Sequence, residues 1–365
     1  LLNTEYTAER ISVTPTGFTV DAGAGILINE NDGDMIYMAI RRPDGYVGKP
    51  PEAGTDVFAM DTAASAVPRY NSGFPVDFAF KRRPATTENW SIGSRLLGKY
   101  RGYTNTNVAF GSNNNFVWDS NTHWPGGGGD DPNVYQAWMW KRGPGMDVVM
   151  WDGNGSGGRQ IAHNLGRVPE MMWVKSRTGS NDWRVYHSGV VGGYDGSGNW
   201  NTNSNAAKYQ LYLNNSYWAV NNTSSFNETE PTSTHFTVGT SSGVNTSGNW
   251  YVNLLFSSVA GISKVGSYTG TANSAQSISL GFQPRFLIIK NIRSQANNWT
   301  TGWFTYDTTR GWISPNTTHM FLNDDMTNQT SNGNCAPTST GFDISAGSNN
   351  YINNNGEEYI YYAHA

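Results

Sequence analysis

Gly281-Phe282-Gln283-Pro284-Arg285-Phe286-Leu287-Ile288-Ile289-Lys290 is the stretch that decides the fold class. The unbroken apolar run Phe286 to Ile289 suits a strand covered on both faces, and it is too short for an ordinary helix. Pro284 sits where a strand begins and loses no ladder bond, and Lys290 is expected to end the strand in water. The same plan occurs twice more, from Gly73 through Pro75 to Lys81 and from Gly166 through Pro169 to Lys175. Of these, Met171-Met172-Trp173-Val174 is again continuous, whereas Val76-Asp77-Phe78-Ala79-Phe80 alternates. A tryptophan follows each lysine: Trp90, Trp183 and Trp299 stand 9, 8 and 9 residues on.

A second pattern alternates with the first: an aromatic strand, a polar turn, and a closing strand built on tyrosine. Phe18 to Tyr37, Phe116 to Tyr135 and Phe342 to Tyr361 each span 19 residues, and Phe236 to Tyr251 spans 15. Thr16-Gly17-Phe18 reappears as Thr340-Gly341-Phe342. Asp32-Gly33 and Asn354-Asn355-Gly356 precede closing strands as hairpin-type turns, because Asn and Gly tolerate positive φ. Closing tyrosines at 37, 135, 251 and 361 set periods of 98, 116 and 110 residues, long enough for each copy to own a small core. The chain is therefore expected to be all-β, with tandem β-sandwich repeats strung as beads: a partial unit at 1–45, then units at 46–144, 145–260 and 261–365. The start at Leu1 falls inside the second pattern, Leu2-Asn3 aligning with Leu322-Asn323. The partial unit is thus expected to be completed by upstream sequence or by a neighbouring subunit.

Composition narrows the function classes. Only 14% of residues are charged, with 42 Gly and 15 Pro, and no window carries helical apolar spacing at length. A net charge of -4 and a pI near 5.9 supply no basic footprint for nucleic acid. Lys81-Arg82-Arg83 reads as a charged cluster where a strand leaves the core. The single cysteine, Cys335, rules out an intrachain disulfide or a CxxC motif, and an extracellular setting remains open. No run approaches the roughly 18 apolar residues of a membrane helix, so no membrane insertion is expected.

Taken together, the stretch 281–290, Tyr306-Asp307-Thr308-Thr309-Arg310-Gly311, Leu322-Asn323, Thr340-Gly341-Phe342 and Tyr359-Ile360-Tyr361-Tyr362-Ala363 resemble an uncharacterised β-sandwich repeat of tail-fibre and related virion proteins of marine phages, cyanophages especially. Earlier copies depart from it: Tyr186-His187-Ser188-Gly189 replaces Tyr-Asp-x-x-Arg-Gly, and Tyr100-Arg101-Gly102 is a remnant. The resemblance implies a lectin-like, jelly-roll type of sandwich on a virion surface or outside the cell. Its implied partners are a host cell-surface glycan or receptor and other virion proteins, with a homotrimer as the family-like assembly. It implies no catalytic residues.

The six histidines show no ligand spacing, and the sequence holds no GxxxxGK[ST] loop. Trp124-Pro125-Gly126-Gly127-Gly128-Gly129-Asp130-Asp131 reads as a hairpin connection, and Asp130 and Asp131 supply at most part of a Ca²⁺ cage of six to eight oxygens. Asp32, Asp34, Asp324, Asp325, Glu357 and Glu358 lie in turn-like contexts that solvated carboxylates favour. Tryptophans at matched positions belong to cores. Trp118, Trp124, Trp200, Trp218 and Trp312 lie in Asn/Ser/Gly-rich stretches, and they read either as ligand-stacking rings or as covers for the edge of a small core. The expectation is a non-catalytic adhesin. A glycan hydrolase or depolymerase and a purely structural fibre spacer are the alternatives, and the long insert Val191 to Lys208 favours adhesion.

Overall fold

In a computed structural model the described residues are 11–14, 17–20, 51–126, 129–294, 298–314, 316–332, 335–347 and 351–365. The chain forms two compact units, Leu1–Pro50 and Pro51–Ala365. In the first, Ile11–Thr14 and Gly17–Val20 make an antiparallel hairpin paired from Thr14↔Gly17 to Ile11↔Val20. Cys335–Thr338 and Gly341–Ile344 pair in the same register, from Thr338↔Gly341 to Cys335↔Ile344, so Phe18 and Phe342 hold equivalent hairpin places. The expected strand Met35 to Ile40 lies outside the described residues.

Strands are the main regular structure of the second unit, and its described helices are single turns, α-helical at Thr223–Phe226 and Asn298–Thr301 and 3-10 at Gly54–Asp56, Arg95–Leu97, Ala206–Lys208 and Thr308–Arg310. Its three large sheets share one strand order. Sheet I runs Phe58–Thr62, Gln136–Trp140, Phe78–Arg82, Ser91–Ser94, Tyr100–Tyr103, Gly111–Ser112. Sheet II begins Met146–Asp152, Trp250–Phe256, Met171–Ser176, Arg184–His187, Tyr209–Tyr212, and continues into Val220–Asn221 and the insert strands Gly192–Tyr194 and Trp200–Thr202. Sheet III runs Ser263–Thr269, Glu358–His364, Phe286–Asn291, Trp303–Asp307, Asn316–Phe321, Gln329–Asn332. In each, the closing strand lies between the first strand and the one that follows Pro75, Pro169 or Pro284.

Alternate side chains of these strands point into different cores, as a pleat requires. Outward faces meet small local sheets, giving three sandwich-like layers: Ala79 and Met139 pack with Tyr70 and Trp124, Met172 and Val174 with Phe236, and Leu287 and Ile289 with Phe342. The inward faces share one apolar core that includes Phe80, Trp140, Trp173, Phe256, Phe286 and Tyr362. Ring centroids join every pair of sheets: Phe78 to Phe256 at 6.4 Å, Phe256 to Tyr362 at 5.0 Å, and Phe58 to Phe286 at 5.5 Å. The expected beads on a string are thus replaced by three blocks sealed face to face, because both faces of each main strand are apolar and one local sheet covers only one of them.

One set of hydrogen bonds between the blocks, those from the seam tryptophans, runs in a single direction around the three sheets. Trp90 Nε1 of sheet I donates to Phe321 O of sheet III (2.8 Å), Trp183 of sheet II to Tyr103 O of sheet I (2.9 Å), and Trp303 of sheet III to Tyr212 O of sheet II (2.8 Å). A head-to-tail contact that closes after three copies forms a ring. Each tryptophan N–H of the backbone donates to an asparagine of its own block, Asn105, Asn214 or Asn323 (3.1, 2.9 and 2.7 Å). The ring position in sheet III is therefore Trp303 rather than Trp299, whose side chain lies outside the described residues. The stretch after Lys290 is longer there.

Three cations plug the same seams. Arg82, Lys175 and Lys290 are each 0% exposed. Each donates to the carbonyl of the next residue and to one carbonyl in its own following loop, and each reaches a neighbouring block: Arg82 to Asp324 and Asp325 O, Lys175 to Asn107 O, Lys290 to Ser216 O. These strands do not end in water. Lys81 is buried too, turned to the outward face, where it pairs with Asp130. Burial pushes the Lys290 ammonium down to about 7 and that of Lys175 to about 8.

Candidate functional site

Of the five tryptophans singled out in the sequence, three are packing residues. Trp124 is fully buried and stacks on Tyr70 and Trp118 at 5.4 Å each. It takes the place of Phe236 and Phe342, facing the short strand before each Pro-led strand: Tyr70↔Trp124, Ile161↔Phe236, Ile278↔Phe342. Trp118 donates Nε1 to Gly98 O at 2.8 Å, and Trp312 donates to Cys335 O at 3.1 Å inside the outward core of sheet III. None of the three presents a free ring face.

The aspartates separate in the same way. Asp130 is buried, accepts from Tyr70 Oη at 2.8 Å and takes the Lys81 ammonium, so it neutralises a buried cation. Asp131 is exposed, 4.0 Å from an Arg83 nitrogen. Among the described residues no group of three or more His, Cys, Asp or Glu side chains is arranged to hold a metal ion. The Asp307-Thr308-Thr309-Arg310-Gly311 motif is structural as well. Asp307 caps the turn through Arg310 N (3.0 Å) and Thr309 Oγ1 (2.6 Å), and it accepts from Trp138 Nε1 of sheet I at 3.1 Å. His187, which replaces that aspartate in sheet II, meets Tyr361 O of sheet III at 3.2 Å. Both side chains are seam contacts.

Trp200 and Trp218 converge. Gly192–Tyr194 and Trp200–Thr202 form a hairpin in which Tyr194 faces Trp200. Its loop is closed by Asp195, whose carboxylate accepts from Ser197 N, Asn199 N and Asn201 Nδ2, each at 2.9 Å; these bonds hold its pKa below the usual carboxylate value. A bridge from Tyr194 to Val220 then brings Trp218 alongside. Ring centroids lie 5.1 Å from Tyr194 to Trp200 and 4.4 Å from Tyr194 to Trp218. Gly192 is required here, because a Cβ would stand 2.5 Å from the Trp200 ring. The neighbouring block contributes Arg293, its guanidinium 5.1 Å from the Trp200 centroid and 3.9 Å from Glu358. All three rings are half-buried, and Tyr217 beside them is exposed.

The sequence reading passed over Tyr194 and Arg293. Tyr194 was legible from its place in the insert Val191 to Lys208. Arg293 was not, since it reaches the cluster only through the ring of blocks. Three aromatic faces beside a guanidinium offer stacking and hydrogen bonding.

The fold and this cluster define an all-β unit, Pro51–Ala365, of three sheet blocks closed into a ring around one core, with an aromatic surface where sheets II and III meet. Residues 98–365 match a family described as a domain of unknown function, DUF7483, and the chain belongs to that family. No curated protein and no solved structure matched the chain.

Proposed function

We propose that the chain is a non-catalytic adhesin of a phage tail fibre or virion surface, built of tandem lectin-like jelly-roll sandwiches and held on the particle by other virion proteins. The Tyr194–Trp200–Trp218 cluster receives a host-surface glycan. The observation that carries this reading is the convergence of Trp200, from the insert, and Trp218 on Tyr194, three half-buried rings at the rim of the shared core. Sugar rings offer apolar C–H faces for stacking and hydroxyls for polar neighbours, and the bonded Asp195 loop pre-sets the hairpin, which lowers the ordering cost of binding. The closed ring supplies the rigid support from which loops carry function.

A glycan array with the intact chain, repeated with Trp218→Ala, tests the reading. The expected result is a defined set of bound glycans whose affinity falls about tenfold or more in the variant, the loss of roughly 1.4 kcal/mol or more of stacking. A chain that binds neither glycans nor host cells would overturn it.

A further inference from the structure

The seam between sheets I and II holds an arginine by stacking alone. Arg177 follows the strand Met171–Ser176, and its guanidinium carbon lies 4.4 Å from the ring centroid of Tyr100 and 5.9 Å from that of Trp250. The backbone fixes this arrangement: Arg177 N donates to Trp250 O at 2.7 Å, and Phe110 N donates to Arg177 O at 2.9 Å. Several other arginines sit beside carboxylates, as Arg83 does with Glu88, Arg142 with Asp147 and Arg310 with Asp307. Among the described residues the Arg177 guanidinium has no hydrogen bond and no ion pair. Its N–H donors, which fit carboxylate or sulfate oxygens, remain available.

Trp250, at 47% exposure, is the tryptophan most open to solvent among the described residues. Thr178 and Asn249 border it: Trp250 N donates to Thr178 Oγ1 at 3.0 Å, and that hydroxyl donates to Asn249 Oδ1 at 3.2 Å. An open indole face beside a hydroxyl, an amide and an uncompensated cation is a set for a ring that is apolar on one face and anionic at its edge. The net charge of -4 gives the chain no general attraction for polyanions, so recognition has to be local.

We infer that this seam binds the acidic residue of a saccharide, a hexuronate or a sulfated sugar, with Trp250 stacking on the sugar ring and Arg177 pairing with its carboxylate or sulfate. The inference rests on the adhesin reading and adds the ligand's charge and a second subsite. Binding of the intact chain to oligogalacturonate, to a sulfated galactan oligosaccharide and to the neutral galactan of the same length, followed by calorimetry and tryptophan fluorescence, tests it; the two acidic arms separate carboxylate from sulfate. At least one acidic oligosaccharide is expected to bind about tenfold or more tightly than the neutral one. That preference is expected to weaken with added salt, to disappear in Arg177→Gln, and to persist in part in Arg177→Lys. Trp250→Ala should weaken binding with an unchanged melting temperature. Equal affinity for neutral and acidic sugars, or an acidic preference that survives Arg177→Gln, would overturn the inference. Glycan binding that Trp218→Ala abolishes and Trp250→Ala leaves intact would sink this subsite and leave the adhesin reading standing.

Discussion

Phe286→Ala probes whether the three blocks stand or fall together. Phe286 has no exposed surface, and its ring centroid lies 5.5 Å from Phe58, 5.6 Å from Trp140, 6.2 Å from Phe80 and 6.4 Å from Tyr362. Three of those four partners belong to sheet I. Truncating a buried phenylalanine in a close-packed core costs about 3–5 kcal/mol. Unfolding entropy near 2.1 cal/mol/K per residue gives about 0.66 kcal/mol/K for the 315 residues from Pro51 to Ala365. The melting temperature should therefore fall by about 5–8 °C. Differential scanning calorimetry should show one transition for this unit, displaced as a whole, since the lost contacts join two blocks. Separate transitions of which only one moves, or a shift under about 2 °C, would refute the shared core and restore independent beads.

Stability should also rise with pH over two windows. Burial lowers His187 and His319 to about 4 and His364 to about 3. Between those values and the unfolded value near 6.5 the unfolded chain binds protons that the folded chain refuses, so acidification through this range should lower the melting temperature, with a slope of about 1.4 kcal/mol per pH unit for each group. Lys290 and Lys175, lowered to about 7 and about 8, act in the same sense from those values up to about 10.5, and Lys290→Met should flatten that upper limb; an unaltered limb in the variant would exclude Lys290 as its source. Asp130→Asn strands the buried Lys81 ammonium and should cost about 3–5 kcal/mol in denaturant titrations. Chelation of Ca²⁺ should leave the wild-type midpoint unchanged, and a chelator-induced drop would mean that Asp130 serves a metal after all.

Fold class was legible because strand period, proline placement and turn residues are local signals. Register was not. The sequence aligns Lys81 with Lys175 and Lys290, but Asp77 N, Glu170 N and Arg285 N each meet a closing-strand carbonyl, Trp140, Phe256 and His364 O (2.9, 2.9 and 2.8 Å). Val76 is thus an extra residue after Pro75, and a one-residue slip exchanges the faces of a strand. Arg82 takes the seam, and Lys81 turns outward to Asp130. A similar offset affects the closing tyrosines. Tyr251 and Tyr359 accept from the backbone five residues earlier, Thr246 N at 2.8 Å and Asn354 N at 3.0 Å, so Tyr359 is the counterpart and Tyr361 lies two residues on along the same face. Phe116 belongs to the same outward core as Trp124 but to no strand, and Trp124 holds the strand position assigned to it by the 19-residue spacing. Tyr361 and Val174 are buried as expected, and Tyr135 is only partly buried.

The site was half legible for a related reason. An aromatic residue in an Asn/Ser/Gly-rich stretch signals that the chain bends there; it does not say whether the ring points under the bend or away from it. Trp118, Trp124 and Trp312 lie near short strands whose outward faces need cover, and the hydrophobic effect claims them. Trp200 lies in a strand added at the far edge of sheet II, on the rim of the shared core, and Trp218 lies just before another, Val220–Asn221. Their burial is therefore incomplete, and it is finished by Arg293 from the next block. Arg177 and Trp250 arise from the same head-to-tail geometry one seam earlier, since each block ends its Pro-led strand against its neighbour. A ring of three thus creates surfaces that no single block owns. Any block expressed alone loses the acceptor for its seam tryptophan and the partner for its inward face, together with half of every aromatic seam.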